Sequence, residues 1–424
     1  MLVNVRASNF YAFTTPVELS MKADMRHKRL SPNVHRLDER NILKVAGVFG
    51  QNNAGKTCLI NIIKAVKKVI LSAGEGIIMP NFFSNNPVCE LGIDFIARER
   101  CFSYDFKLSV DGGEFIYERF AEKIVDKHGN EKEEVWLQIN TLMEQYQCID
   151  KKAEEILPIF SRHNILIHQV DTEKFEHLKE MKELLTSFAE KIDIIDLNNI
   201  PMKKTIENLK TKSEYKEKIV EFIKNADVDL DDYDYLEESN VTIELREQKP
   251  QENVLDIPES LVEQLRITSN YHGVHVPSLF FDSTGTKKIA AIASYIVEAL
   301  ENGRILVVDE IDSSLHFKLT RAIVAMFNND LNDTAQLIFT SHDTNLLDVK
   351  KLFRKEQIWF VAKEKREVYV YSLAEFTAED GVRDTSNIIE KYRRGALGAL
   401  PEPDLLSILL EIKGNTAQED SDAE

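Results

Sequence analysis

The chain has 424 residues, of which 43% are hydrophobic and 29% are charged. This length and composition suit a protein of two or three compact units with sizeable cores. The formal net charge of −18 argues against a nucleic-acid-binding surface that covers the whole protein, so DNA or RNA would have to bind a local patch or a partner. The longest apolar runs are only as long as strands, which argues against a membrane span.

The four cysteines lie far apart and form no CxxC pair: Cys58, Cys89, Cys101 and Cys148. This spacing argues against a zinc site or a disulfide framework and indicates a reducing compartment. The N-terminus lacks the basic stretch and the apolar core of a signal peptide. We therefore expect a cytoplasmic protein with no membrane partner.

The first predicted elements surround a glycine-containing loop. In residues 2–13, apolar and polar side chains alternate loosely, which predicts a strand. Residues 42–49 form an apolar, β-branched run, which predicts a buried strand that ends at Gly50. Residues 59–71 carry apolar side chains at helical spacing, which predicts a helix. The predicted order is therefore strand, loop, helix.

Along the rest of the chain, the predicted secondary structure changes twice. Residues 89–118 predict antiparallel strands. Residues 151–224 predict mostly helix, and the acidic run at 227–238 predicts a solvated loop. A short strand is expected at 241–246. From residue 278 onward, strands alternate with helices, which indicates a parallel sheet.

Residues 50–57 match the phosphate-loop pattern GxxxxGK[ST] at every fixed position. Glycines let backbone N–H groups curl around phosphate oxygens, and the N-terminus of the following helix adds positive charge. Lys56 is predicted to reach the β- and γ-phosphates, and Thr57 to coordinate Mg²⁺. The sequence thus predicts a site for ATP and magnesium. The predicted contacts are Gly50, Asn52, Asn53, Ala54, Gly55, Lys56, Thr57 and Cys58.

A second motif joins an apolar strand to two carboxylates. Residues 305–308 are all β-branched or leucine, as in a buried parallel strand, and Asp309 and Glu310 stand at its C-terminal end. Ligands of open α/β sheets bind at that edge. Asp309 is predicted to support the magnesium ion and Glu310 to polarise the attacking water. Without the phosphate loop, two solvated acids would be an ordinary alternative.

Two further features are weaker on their own. Ser283 and Gly285 stand in a turn before a helix predicted at 289–300, where they either hold an anion or simply cap the helix. The apolar strand at 337–341 is followed by His342, which either touches the γ-phosphate or is an ordinary loop histidine.

In this order, the motifs resemble those of ABC-type ATPases, in the branch that includes the SMC, RecF and OLD proteins. The resemblance implies that Ser283 and Gly285 form the signature turn, which binds the γ-phosphate of a facing subunit. It also implies that residues 311–316 form the D-loop and that His342 is the switch histidine. Four segments are further similar to stand-alone AAA ATPases of bacterial abortive-infection and OLD-like anti-phage systems: DSTGTKK, VVDEIDSSLHFKLTR, IFTSHDTNLLD and YRRGALGALP.

The sequence also departs from this family. Asp282 stands where the family commonly has Glu before the signature serine. Gln169 is the candidate for the family's magnesium-sensing glutamine, although a glutamine at the edge of the core would look the same. The residues after His342 are too few for the Toprim nuclease of OLD proteins, so we expect no nuclease here. The family implies instead a separately encoded effector, such as a nuclease or a toxin.

These observations predict an α/β P-loop NTPase of the ABC-ATPase type, with an antiparallel β lobe and a helical insertion. We expect an N-terminal ATPase half with the phosphate loop and the β lobe at residues 1–150, and the helical insertion at 151–240. The C-terminal ATPase half, with the signature turn, the acidic strand, the D-loop and the switch histidine, is expected at 241–415. An acidic, disordered tail is expected at 416–424.

The leading functional hypothesis is an ATP-hydrolysing regulatory subunit of an anti-phage system. The resemblance implies that it self-associates, as a dimer or a larger oligomer, and controls a separate effector. A RecF- or SMC-like DNA-repair ATPase is the main alternative, which the net charge of −18 does not favour. A transporter ATPase would carry an LSGGQ signature, from which residues 282–286 depart. A protein that binds ATP without hydrolysing it would have no catalytic use for Glu310.

Overall fold

The computed structural model describes residues 1–26, 28–37, 40–72, 79–111, 113–126, 130–211, 213–226, 228–236, 258–383, 385–400, 405–408 and 412. The strands in these residues are β1 (Leu2–Ser8), β2 (Val17–Ser20), β3 (Val34–Arg36), β4 (Asn41–Leu43), β5 (Val45–Gly50), β6 (Val88–Ala97), β7 (Arg100–Ser109), β8 (Phe115–Val125), β9 (Glu131–Asn140), β10 (Gln145–Cys148), β11 (Ile192–Asp196), β12 (Asp232–Tyr235), β13 (Ile267–Tyr271), β14 (Val274–Pro277), β15 (Ile305–Asp309), β16 (Gln336–Ser341), β17 (Ile358–Glu364) and β18 (Glu367–Ser372).

The α-helices of the same residues are α1 (Lys56–Ser72), α2 (Lys151–Glu154), α3 (Glu176–Glu190), α4 (Lys203–Thr211), α5 (Ser213–Asn225), α6 (Glu259–Leu265), α7 (Ser278–Phe281), α8 (Thr284–Asn302), α9 (Phe317–Phe327) and α10 (Ile388–Arg393). None of these helices is long and apolar enough to span a membrane.

The central layer is a six-stranded sheet in the order β11-β15-β16-β5-β17-β18. The first five strands are parallel, and β18 returns antiparallel to β17. Every residue of β5 and β16 is buried, because helices or the second sheet cover both faces. Alternate side chains of β5 enter different cores: Ala46 and Val48 pack with α1, and Val45 and Phe49 pack on the face that α8 covers.

A second, antiparallel sheet of seven strands follows the order β10-β9-β8-β7-β6-β1-β2. Its long strands β6, β7, β8 and β9 are neighbours both in sequence and in space, as expected for hairpins. The buried side chains of this sheet join those of α1 and α3 in one hydrophobic core. The predicted fold class, an α/β P-loop ATPase fold with an antiparallel lobe, is therefore confirmed.

The predicted helical insertion at 151–240 needs correction, because the structure does not set it apart from the ATPase fold. Strand β11 lies within it and pairs in parallel with β15, so the segment supplies an edge of the central sheet. Helix α3, from the same segment, packs against α1 and shares its core. The physical reason is that β11 spans only five residues, so its distant pairing with β15, and not its local pattern, identifies it as a strand.

The predicted acidic loop at 227–238 also needs correction. Strand β12 lies inside it and pairs with β13 in a three-stranded sheet with β14. Its residues alternate aspartate and tyrosine, and a period of two buries Tyr233 and Tyr235 while the aspartates stay partly exposed. The strand expected at 241–246 and the tail expected at 416–424 lie outside the described residues.

Gln336, the first residue of β16, connects the two sheets. Its side chain is fully buried, accepts a 2.6 Å hydrogen bond from the Leu2 backbone N–H, and donates to the carbonyl oxygens of Leu2 and Leu43 at 2.9 and 3.2 Å. The Gln336→Ala change leaves these three backbone groups unpaired, so we expect it to destabilise the fold by about 2–4 kcal/mol. Thermal denaturation tests this against the exposed control Gln145→Ala, and equal melting temperatures would contradict it.

Candidate active site

The phosphate loop begins where β5 ends, in the middle of the central sheet. Gly50 has a φ of 154°, and a Cβ at this position would lie 2.1 Å from the carbonyl oxygen of Val361 on β17. Gly55, just before α1, has a φ of 113°. Both positions therefore require glycine, because larger residues rarely adopt such backbone angles and a side chain at Gly50 would clash with β17. Asn53 also has a positive φ, of 58°.

Lys56 is the first residue of α1, and only 6% of it is exposed. Its ammonium group donates hydrogen bonds to the carbonyl oxygens of Gly50 and Gln51, at 3.1 and 2.8 Å. Burial lowers the pKa of Lys56, and the nearby carboxylates, Asp309 first, oppose that shift. A buried cation at a helix N-terminus, beside a glycine turn, is suited to binding an anion.

Thr57 and Asp309 meet, although 252 positions separate them in the chain. The Thr57 hydroxyl donates a 2.8 Å hydrogen bond to Asp309 Oδ2, and the Thr340 hydroxyl, on neighbouring strand β16, donates to Asp309 Oδ1 at 2.5 Å. A hydroxyl and a carboxylate oxygen are the ligands that Mg²⁺ takes beside a triphosphate. The described residues hold no group of three or more His, Cys, Asp or Glu that could bind a metal ion by themselves.

Glu310 follows β15 in a strained conformation, with a φ of 52°. Its backbone N–H donates to the Thr340 hydroxyl at 2.8 Å, which holds the turn. Its carboxylate oxygen Oε2 accepts a 2.7 Å hydrogen bond from the side chain of Asn198. Left-handed backbone at a non-glycine residue costs free energy and persists where the surroundings fix it. Glu310 is thus placed at the edge of the sheet beside Asp309 and Lys56.

His342 lies one residue beyond β16, at the same edge of the sheet. Its backbone N–H donates to the two carboxylate oxygens of Asp312, at 3.1 and 3.3 Å. Partial burial and the positive charge of Lys56 lower the pKa of His342, which favours the neutral ring, while the nearby carboxylates, Asp312 first, oppose that shift. A neutral imidazole can accept or donate a hydrogen bond near a phosphate group without adding a charge.

Ser283 caps helix α8, and its hydroxyl accepts a 3.0 Å hydrogen bond from the Thr286 backbone N–H. A Cβ at Gly285 would meet only ordinary contacts, 3.6 Å from Ser283 Oγ and 3.7 Å from the Ser314 carbonyl oxygen. The fold of one chain therefore leaves room for a side chain at Gly285. The turn lies beside the predicted D-loop, because the Lys288 ammonium contacts Ser313 and Ser314.

Asp282, the departure from the family pattern, has a structural role here. It is 6% exposed and accepts hydrogen bonds from the hydroxyl groups of Ser269 and Ser278 at 2.6 Å and of Tyr271 at 2.9 Å. The aspartate thus ties α7 and β13 to the start of α8.

The structure does not bring Gln169 to the site. Its amide nitrogen donates to the carbonyl oxygens of Ser161 and Asn164, at 2.8 and 2.6 Å. The preceding His168 is hydrogen-bonded to Val69, near the C-terminal end of α1, whereas Thr57 is at its N-terminal end. Twelve residues of helix separate these ends by about 18 Å. The magnesium ligand proposed at Gln169 is therefore corrected to a glutamine that holds a loop.

The remaining predicted contacts differ in exposure. Asn52 and Asn53 are exposed, and Ala54 is buried. Cys58 is half-buried, and burial raises the pKa of its thiol, so the thiol is less reactive than a free cysteine.

The sequence did not identify Thr340 or Asn198 as members of the site. A polar residue two positions after a short parallel strand was the available signal for Asn198, in the run IDIIDLNN.

The YRRGALGALP segment lies beside the phosphate loop. The Gln51 side chain donates a 3.1 Å hydrogen bond to the Leu400 carbonyl oxygen. The Tyr392 hydroxyl donates to the Ala399 carbonyl oxygen at 2.8 Å, and Gly398 has a φ of 69° with the Tyr371 hydroxyl 2.7 Å from where a Cβ would be. The glycine is therefore needed for the segment to turn against β18 and reach the loop.

The parallel sheet, the loop after β5 and the carboxylates after β15 together define the class: the chain has the fold of a P-loop NTPase. Within that class, it belongs to the family described as "AAA domain, putative AbiEii toxin, Type IV TA system", which it matches over residues 45–348. No curated protein matches the sequence.

Solved structures similar to this chain include the SMC head domain from Thermotoga maritima, with 10% identity and a TM-score of 0.41 over 88% of this chain and 98% of that one. The SmcHead bound to the C-winged helix domain of ScpA has 11% identity and a TM-score of 0.45, over 90% and 99%. The Smc head domain with an extended coiled coil bound to the C-terminal domain of ScpA, derived from Pyrococcus furiosus, has 12% identity and a TM-score of 0.40, over 92% and 99%.

Proposed function

We propose that the chain hydrolyses ATP and that nucleotide-dependent association of two copies controls a separate effector protein. The observation that carries the ATPase is the contact between Thr57 and Asp309, beside the buried Lys56 and the strained Glu310. This arrangement provides, at one edge of the sheet, a cation for phosphate, two oxygen ligands for magnesium and a carboxylate for water.

In the proposed reaction, the Lys56 ammonium leaves the carbonyl oxygens of Gly50 and Gln51 and binds the β- and γ-phosphates. Thr57 and Asp309 would hold Mg²⁺, which would neutralise charge on the phosphate oxygens. Glu310 orients the attacking water and accepts its proton, and His342 donates a hydrogen bond to the γ-phosphate. Glu310 acts from a position that its backbone turn and the hydrogen bond from Asn198 already fix, which contributes to the rate enhancement.

A phosphate-release assay tests the ATPase directly. With Mg²⁺ and ATP, we expect steady release of phosphate, and we expect EDTA to abolish it because Thr57 and Asp309 would lose their metal. A binding-only protein would hold ATP without releasing phosphate. That outcome would contradict the proposal while leaving the nucleotide site intact.

The signature turn is proposed to act on nucleotide that is bound to a second copy. The turn caps its own helix, and Gly285 has room for a Cβ within its own chain, so a need for glycine there would come from a close approach by another molecule. A second copy that presents its phosphate loop satisfies this requirement. ATP would then lie between two copies and hold them together.

We expect Ser283→Arg to reduce hydrolysis at least tenfold without loss of ATP binding, because the substitution blocks the turn and spares the phosphate loop. Lys56→Ala protein should be inactive for a different reason, since it lacks the phosphate contact. In a mixture of the two variants, one composite site combines an intact loop with an intact turn. Phosphate release by the mixture should therefore exceed that of either variant alone.

The matched control for this mixing experiment is Thr377→Arg, at an exposed position far along the chain from the turn, mixed with Lys56→Ala. This control mixture should show only the activity of the Thr377→Arg protein itself. Equal, background rates in the Ser283→Arg mixture and its separate components would contradict the action in trans.

The proposed biological role is an anti-phage system of the abortive-infection type with a nuclease or toxin as effector. The family description, which names a toxin and a toxin–antitoxin system, supports this role. A RecF- or SMC-like DNA-repair ATPase is the second candidate, and the net charge of −18 weighs against it. Purification of the intact complex, followed by mass measurement, separates the two: a protein effector favours defence, and DNA alone favours repair.

A further inference from the structure

Asn198 lies two residues after β11, and both the nitrogen and the oxygen of its side-chain amide form hydrogen bonds. Its nitrogen donates a 2.7 Å hydrogen bond to Glu310 Oε2, and its oxygen accepts a hydrogen bond from the Ser313 hydroxyl. The two bonds fix which way the amide points, because an amide nitrogen only donates and its oxygen only accepts. Asn198 is therefore oriented by Ser313 and in turn orients Glu310.

The backbone around Asn198 is held as firmly as its side chain. Its own N–H donates to Asp196 Oδ1 at 2.8 Å, and the Leu197 N–H donates to the Asp309 carbonyl oxygen at 3.1 Å. The turn after β11 is thereby fastened to the end of β15, one residue before Glu310. This arrangement leaves little freedom for Asn198 to move away from the carboxylate.

Ser313 is connected onward to helix α8. The Lys288 ammonium lies 3.2 Å from Ser313 Oγ and 3.1 Å from Ser314 Oγ. Lys288 is four residues into the helix that Ser283 caps, so one short chain of contacts leads from the signature turn to Glu310. The sequence motifs of the ATPase contain Glu310 and the turn, but neither Asn198 nor this connection.

The bond from Asn198 leaves half of the Glu310 carboxylate available. Within the described part of the chain, no hydrogen bond or ion pair to Glu310 Oε1 is formed. A neutral amide can hold one oxygen without neutralising the group, whereas a lysine or arginine in its place would form an ion pair and weaken it as a base. The second oxygen can then accept a proton from water, which is the geometry that a general base requires.

We propose that Asn198 is a positioning residue for Glu310, held in place by Ser313 and Lys288, so that engagement of the signature turn acts on the general base of the same chain. This inference rests on the proposed ATPase function, because it assigns a neighbour to a base that the function requires. It adds a residue from the middle of the chain to a site otherwise built from its two ends.

The test compares Asn198→Ala with Asn199→Ala, an exposed neighbour that serves as the matched control. For Asn198→Ala we expect kcat to fall about tenfold or more, with KM for ATP changed less than about threefold, because the interaction acts on the base and not on binding. Asn199→Ala should match the wild type. Melting temperatures of both variants, measured alongside, report whether the fold is intact.

The near-isosteric variant Asn198→Asp gives a readout that a purely structural residue would not move. It keeps the size of the side chain and removes the N–H donor, because an ionised carboxylate only accepts hydrogen bonds. Its kcat should therefore fall at least as far as that of Asn198→Ala while KM for ATP changes less than about threefold, whereas a residue that only fills space would tolerate this change. Ser313→Ala should lower kcat less than Asn198→Ala, and the double variant should be no worse than Asn198→Ala.

Equal kcat values for Asn198→Ala, Asn199→Ala and the wild type, or a wild-type kcat in Asn198→Asp, would overturn the inference and leave the ATPase proposal standing. If the wild type itself releases no phosphate above the Glu310→Gln background, the proposed function fails and the inference fails with it. A tenfold loss of kcat in Asn198→Ala with KM preserved supports the inference.

Discussion

Lys56→Ala protein is expected to lose at least about two orders of magnitude in ATP affinity, because a buried, charge-assisted contact with two phosphates is removed. The ammonium group is the one that donates to Gly50 and Gln51 within the loop, so its loss also removes contacts that fix the loop itself. Binding of a fluorescent ATP analogue, measured by titration, gives the affinity.

Two further variants separate the possible causes of that loss. Lys56→Met keeps the aliphatic stem that fills the buried space, and it should fail as badly as Lys56→Ala if the charge is what binds phosphate. Lys64→Ala removes an exposed lysine two turns further along the same helix and should bind ATP like the wild type. ATP affinity within about threefold of the wild type in Lys56→Met would contradict the role of the charge.

Glu310→Gln is expected to bind ATP normally and to hydrolyse it at least about a hundredfold more slowly, because the amide cannot accept a proton from water. The side chain keeps its size, so the turn with φ of 52° and its bond to Thr340 are preserved. A phosphate-release assay at saturating ATP measures the effect on kcat. The exposed control Glu379→Gln should retain the wild-type rate.

The same variant makes the proposed association visible. If ATP lies between two copies and its hydrolysis releases them, then Glu310→Gln with Mg²⁺ and ATP should remain dimeric in size-exclusion chromatography with light scattering, and the wild type should return to monomer as ATP is consumed. Combining Glu310→Gln with Ser283→Arg should remove the dimer, since the turn can no longer approach. Hydrolysis by Glu310→Gln at the wild-type rate would contradict the role of the carboxylate.

The sequence predicted the central part of the fold because its signals are local. A glycine pattern between an apolar strand and a helix, and two carboxylates after another apolar strand, each occupy fewer than ten consecutive residues. The carboxyl ends of parallel strands meet at one edge of a sheet, so the approach of Thr57 to Asp309 could be expected. The antiparallel lobe could be predicted equally well, because its long strands alternate apolar and polar residues.

The errors arose where the decisive contacts are distant in sequence. Strand β11 is short and lies among helices, and only its pairing with β15 identifies it as part of the central sheet. Gln169 was chosen by residue type in a loosely matching segment, and the contact of the neighbouring His168 with Val69, near the far end of α1, could not be predicted from the local sequence. Asn198 was missed for the same reason, since its role depends on a residue more than a hundred positions away.

Strand β5 has a consequence for how the protein is made. Both of its neighbours, β16 and β17, come from the last part of the chain, with Val45 beside Leu337 and Gly47 beside Ile358. During synthesis, β5 leaves the ribosome with both backbone edges unpaired and stays so until β16 and β17 have been translated. Nucleotide binding should therefore begin only after these two strands have emerged, and a chain interrupted before them would expose an apolar strand that aggregates or binds chaperones instead of binding ATP.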